Sequence, residues 1–167
     1  MANENMHLSA AGYAALRHNE GVVMGYYNDA PVNGNCTWGV GTLEHYGPCS
    51  AEELRRTVTP AQVNAVLDAR VREAERIVRS SVQNQLLTQA QFDAAVSFAY
   101  NSRTVNIRAA LAPADRGDLV GTAQAMMRNV MVIPRNPHGR PIGPARINPG
   151  LVNRRTRESA PFARGNP

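Results

Sequence analysis

Apolar residues recur along this chain with two different periods. Val63, Val66, Leu67, Val71, Ala74, Val78 and Val82 fall three or four apart, a spacing that lines one face of a helix and predicts a single long helix from about residue 60 to 82. Thr59-Pro60 opens it, because proline at the first helical position gives up only an N–H that would be unpaired there. Phe92, Ala95, Val96, Ala99 and Tyr100 repeat the helical spacing behind Thr88-Gln-Ala-Gln91, a capping-box pattern. Those aromatics read as core. A further helix is expected over Leu119 to Val132, with Met126, Met127 and Met131 filling its buried side, and a last one from near Gly150, with Arg154, Arg155, Arg157 and Glu158 in its early turns. Near the N-terminus Ser9 can cap a short helix that turns Tyr13 and Leu16 inward and stops at Gly21. Ser50-Ala-Glu-Glu53 is a second capping-box pattern, expected to open another short helix.

Between the first helix and the long one the period shortens. Residues 25–28 (GYYN) and 36–43 (CTWGVGTL) read as strands joined across Asp29 to Asn35, where Asn33-Gly34 is a turn signal. After residue 132, Pro134, Pro137, Pro141, Pro144 and Pro149 are expected to interrupt regular structure and leave a long loop. The pattern describes a mostly helical α+β protein in which a small hairpin region precedes the long helix.

Composition changes that picture in two ways. With 167 residues, 43% of them hydrophobic, the chain suits one domain with a core of its own. All 18 basic residues are arginine, and they are unevenly placed: residues 1–120 carry 10 against 12 acids, whereas residues 121–167 carry 8 against Glu158 alone. A C-terminal sector with that excess favours polyanions, among them nucleic acid, acidic lipid and the carboxylate-rich bacterial cell wall. The first residues, MANENMHLSAAGYAAL, lack the basic and apolar regions of a secretory signal, and no apolar run is long enough to span a membrane. Cys36 and Cys49 either close a disulfide in an oxidising space or stay as buried thiols.

The candidate chemistry lies in the hairpin region. Glu20 falls at a helix C-terminus, where a carboxylate opposes the helix dipole at a cost of about 0.3–1 kcal/mol if exposed. Asp29 follows nine residues later, and Thr37 stands before a glycine-interrupted strand. Glycoside hydrolysis uses two carboxyl groups, one to protonate the leaving oxygen and one to activate water or attack the sugar. Other chemistries lack their residues. There is no HExxH, CxxC, phosphate-cradling glycine motif or GxSxG elbow, and His7, His18, His45 and His138 are scattered, so neither a metal nor an organic cofactor is expected. Cys36, His45 and Cys49 offer three ligands to a zinc ion without a fourth.

Together NEG at 19–21, the Glu20-x8-Asp29 spacing, CTWGVGT, LTQAQFDAAVSFAYN and GLVNRRTRE at 150–158 resemble the phage-type lysozymes, glycoside hydrolases acting on peptidoglycan. The likeness runs from about Leu8 to Phe162. It implies a two-lobed lysozyme-like fold within one domain: a small lobe of about 20–60, a linking helix of about 60–82, and a helical lobe of about 88–162 joined by the N-terminal helix, with an active-site cleft between the lobes. It implies Glu20 as general acid, Asp29 as ionised partner and Thr37 as holder of the attacking water, a set usually assigned to inversion. It implies that Arg154 or Arg155 sits beside Glu20, and that Tyr27, Thr42 and Asn101 line the cleft. Three departures stand out: the Asp29 to Thr37 spacing is two residues longer than usual, Ser102-Arg103 replaces a small turn, and the proline-rich loop is long.

The resemblance makes peptidoglycan the partner, rather than nucleic acid, and a monomer the expected state. Such a protein would be made in the cytoplasm and act in the periplasm, either as a phage endolysin or as a delivered antibacterial effector held off by an immunity protein. A different class of reading is a non-catalytic module, binding cell wall or another polyanion through the arginine-rich sector. Retention of Glu20, Asp29 and Thr37 argues against it.

Overall fold

The structure is a computed structural model that describes residues 2–30, 34–136 and 140–163. The chain divides into two compact units, one of Ala14–Arg70 with Ile133–Pro144 and one of Met1–Tyr13, Val71–Val132 and Ala145–Pro167.

The first unit holds a three-stranded antiparallel sheet in the order β1 (Val23–Asn28), β2 (Cys36–Gly39) and β3 (Thr42–His45). The expected single strand over 36–43 is thus two. Gly39 and Gly41 take positive φ values of 63° and 74°, which let the chain reverse at Val40-Gly41 and pair Trp38 with Thr42. The turn expected at Asn33-Gly34 involves Asn33, which lies outside the described residues. Val40, Val58 and Val63 are buried together, with Val22, Tyr26, Trp38 and Val66 packed against them. Ser50 and Glu53 exchange the two capping-box bonds, Ser50 N–H to Glu53 Oε2 at 2.7 Å and Glu53 N–H to Ser50 Oγ at 3.2 Å. They open only a 3-10 turn, Glu53–Arg55, rather than a helix.

Helix α1 (Ala10–Glu20) and helix α2 (Pro60–Ser81) each run from one unit's residues into the other's. Thr59 and Gln62 cap α2 reciprocally, the Thr59 N–H donating to Gln62 Oε1 at 2.9 Å and the Gln62 N–H to Thr59 Oγ1 at 3.3 Å. Of the expected stripe, Val63, Leu67, Val71, Ala74, Val78 and Val82 are at most 6% exposed, and Val66 is partly buried.

The second unit is helical. Helix α3 (Gln89–Tyr100) starts at the Thr88–Gln91 capping box and buries Phe92, Ala95, Val96, Phe98 and Ala99. Helix α4 (Thr104–Asp115) was not foreseen in the pattern, although Ile107, Ala110, Leu111 and Ala114 follow helical spacing and are buried. Two of those four are alanines, and Pro113 inside the helix masks the period. Helix α5 (Leu119–Met127) ends five residues short of the expected Val132. The Asn129 side chain donates back to Ala125 O at 2.9 Å, and Met131 then enters β4 (Met131–Val132), where it is 50% exposed rather than core. β4 pairs with β5 (Arg146–Ile147), and Arg135 bridges to Pro141, so described residues on the two sides of the proline-rich stretch pair where the sequence suggested only loop. Helix α6 (Pro149–Ala163) closes the unit and buries Phe162.

Candidate active site

Glu20 is the last residue of α1. The helix is started by Ser9, whose Oγ accepts the Gly12 N–H at 3.0 Å, and anchored by Leu16 at 1% exposure. Gly21, at φ 61°, ends it. The carboxyl group is thereby fixed at the helix end and is half-buried.

Asp29 leaves β1 and is exposed. Asn35, just ahead of β2, grips it at both ends of its carboxylate: the Asn35 N–H donates to Oδ1 at 2.6 Å and the Asn35 side-chain amide to Oδ2 at 3.3 Å. The Asn35 carbonyl in turn accepts the Asp29 N–H at 3.1 Å and the Thr37 hydroxyl at 3.3 Å. One residue therefore joins the two groups that the sequence singled out, however long the loop between them. Gly47 N–H on Asn35 Oδ1 at 3.1 Å holds that residue in turn. Thr37 is 4% exposed, and because its hydroxyl proton is engaged, its oxygen is left as an acceptor.

Tyr27 pairs with Thr37 across β1 and β2, so the two side chains stand on one face of the sheet. Burial first, and then the negative charge of Asp29, push the Tyr27 phenol above its ordinary range, against the opposing pull of the Gly41 amide and Arg70. Arg70 also donates to the Val40 carbonyl at 3.0 Å, tying α2 to the glycine turn. Thr42 pairs with Trp38, and Trp38 with Tyr26, which puts Thr42 on the opposite face from Thr37. Its Oγ1 is buried and has no hydrogen-bond partner. The structure thus gathers Tyr27, Asp29 and Thr37 and sets Thr42 apart from them.

Cys36 and Cys49 are joined by a disulfide, and the Cys49 N–H donates to Asn28 Oδ1 at 2.8 Å. The bond therefore pins the strand ends that flank Asp29 and Thr37.

In the helical unit Arg154 and Arg155 are 9% and 2% exposed, and both donate to Glu158, which is 4% exposed. Arg155 also donates to Asn129 O at 3.2 Å, Asn101 O at 3.3 Å, Asn101 Oδ1 at 3.3 Å and Ser102 Oγ at 3.1 Å, with its guanidinium 4.5 Å over the Phe98 ring. Arg154 reaches Ser97 O at 3.2 Å, and Ser97 Oγ donates to Glu158 at 2.7 Å. Arg154, Arg155 and Glu158 form a buried polar cluster that bonds outward to Asn101, the exposed C-cap of α3. Sequence reasoning missed Asn35 and Glu158. Asn35 lay within a polar turn, and Glu158 carried a signal of its own as the lone acid among eight arginines.

A helix that ends on one carboxyl group is followed in the chain by a small sheet carrying a second with a hydroxyl acceptor, the residue types that two-carboxylate glycoside hydrolysis uses. Residues 17–158 match the phage lysozyme family, and the chain belongs to that family. It is 31% identical over 164 residues, 97% of its length, to the endolysin of Bacillus phage PZA, of which it spans 57%. Among solved structures it resembles an endolysin from Escherichia coli O157:H7 phage FAHEc1, with a TM-score of 0.75 and 27% identity, covering 95% of this chain and 94% of the other. It also resembles the muramidase domain of SpmX from Asticaccaulis excentricus, with a TM-score of 0.70 and 25% identity over 94% and 98% of the two chains.

Proposed function

We propose that this protein is a lysozyme-type glycoside hydrolase, a muramidase that cuts the β-1,4 bond between N-acetylmuramic acid and N-acetylglucosamine in bacterial peptidoglycan. Glu20 donates its proton to the glycosidic oxygen. Asp29 takes a proton from a water that attacks the anomeric carbon from the opposite face, and Thr37 Oγ1 accepts that water's other proton and so orients it. A single displacement of this kind inverts the anomeric centre. The observation that carries the reading is the shared bonding of Asp29 and Thr37 to Asn35, which supplies one acceptor for each hydrogen of the water.

The protein acts as a monomer on cell wall reached from the periplasm, in the manner of an endolysin; no helix among the described residues is long and apolar enough to cross a membrane. Digestion of purified peptidoglycan tests the assignment. The wild type is expected to release soluble muropeptides, and Glu20→Gln, which keeps the shape and loses the acid, is expected to slow release by about 10²–10⁴-fold. A wild type that releases nothing, or a Gln variant that cuts equally well, overturns the proposal.

A further inference from the structure

Two of the three residues that the sequence offered as an incomplete ligand set, Cys36 and His45, gather with Glu53 in the fold. The Cys36 sulfur, a His45 ring nitrogen and a Glu53 carboxylate oxygen all lie within 4.8 Å of one another, and Cys49 is bonded to Cys36. We infer that reduction of the Cys36–Cys49 bond converts this cluster into a tetrahedral zinc site with Cys36, His45, Cys49 and Glu53 as ligands.

The supporting geometry is already in place around each ligand. His45 stands opposite Cys36 in the β2–β3 register. Its Nδ1 faces the Tyr46 carbonyl at 3.1 Å, the outer contact that orients metal-binding imidazoles, and this leaves Nε2 directed at Glu53 Oε1 3.0 Å away. Glu53 Oε2 is held by the Ser50 N–H at 2.7 Å, which leaves Oε1 as the ligand atom. The Cys36 N–H on Gly47 O at 2.7 Å and the Cys49 N–H on Asn28 Oδ1 at 2.8 Å hold the backbone beneath both sulfurs. Two Zn–S bonds of about 2.3 Å at a tetrahedral angle put the sulfurs roughly 3.8 Å apart, a separation that side-chain rotation supplies once the covalent bond is gone. Two thiolates, an imidazole and a carboxylate suit zinc.

The chemistry balances through a dithiol reductant. It passes two electrons and two protons to the cystine and becomes a disulfide itself, leaving two thiols on the protein. Zinc then displaces both thiol protons to solvent. Disulfide and metal are therefore alternative cross-links over the same four residues, the metal in a reducing compartment and the disulfide in an oxidising one. The inference is independent of the hydrolase assignment.

The test uses untagged protein, reduced with excess dithiol without oxygen, freed of metal and titrated with cobalt and then zinc. The expected result is uptake of one cobalt with the visible bands of a tetrahedral thiolate site, displacement by zinc, and one zinc in the native mass spectrum of reduced protein but none in the oxidised form. His45→Ala and Glu53→Gln keep the disulfide and can be checked for folding in the oxidised state; after reduction each should weaken zinc binding by about tenfold or more. Absence of the bands, equal uptake by oxidised protein, or unchanged affinity in both variants overturns the site.

Discussion

Asn35 is the residue on which the candidate chemistry turns. By binding the Asp29 carboxylate and the Thr37 hydroxyl it makes their relative placement a local property of one turn. If Thr37 acts through its hydroxyl, Thr37→Ser should retain most of the activity, whereas Thr37→Ala should lower kcat by about tenfold or more at nearly unchanged KM, since a misplaced water slows the chemical step without altering sugar binding. Steady-state kinetics on a soluble peptidoglycan fragment checks the split. Glu158 plays an equivalent part in the helical core. Glu158→Gln removes the carboxylate charge that both buried guanidinium groups bond and should cost about 3–5 kcal/mol, read as a shift of the urea midpoint. Glu20, Asp29 and Thr37 were legible in the sequence as residue types at a spacing. Asn35 was not, because an asparagine in a polar turn carries no pattern until its partners are seen.

At the scale of elements, legibility followed the strength of local signals. The long helix and α3 were plain because each has a start signal, Thr59-Pro60 or the Thr88–Gln91 box, ahead of an unbroken helical stripe of apolar residues. The α4 helix was hidden by its alanines and Pro113, and the β2–β3 reversal by glycines that read as interruptions of one strand. The link between α2 and α3 offers a pH test. Asp115 receives the N–H groups of Gln83 and Asn84 at 2.6 and 2.8 Å. The Asn84 N–H above all, with that of Gln83, the Asn84 side chain and Arg116, holds this carboxyl below its ordinary range against the opposing effect of desolvation. Its folded value being depressed, the stabilisation is fully present above the ordinary carboxylate range and fades as pH falls through the folded value. Hydrogen exchange should show the Gln83 and Asn84 amides losing protection across that acidic window in the wild type, and Asp115→Asn should remove the dependence.

For the molecule as a whole, the α+β, mostly helical character was legible from periodicity. The arginine-rich C-terminal sector needs revision: two of its eight arginines are buried on Glu158, so the sequence count overstates the charge that the surface presents. Charge along a sequence says nothing of which cations pair inside. Hydrolysis by a water held between Asp29 and Thr37 is tested by digesting peptidoglycan in heavy-oxygen water. Mass spectrometry of the released fragments should find N-acetylmuramic acid at each new reducing end, carrying one heavy oxygen. New ends on N-acetylglucosamine, or anhydro ends without label, would contradict it.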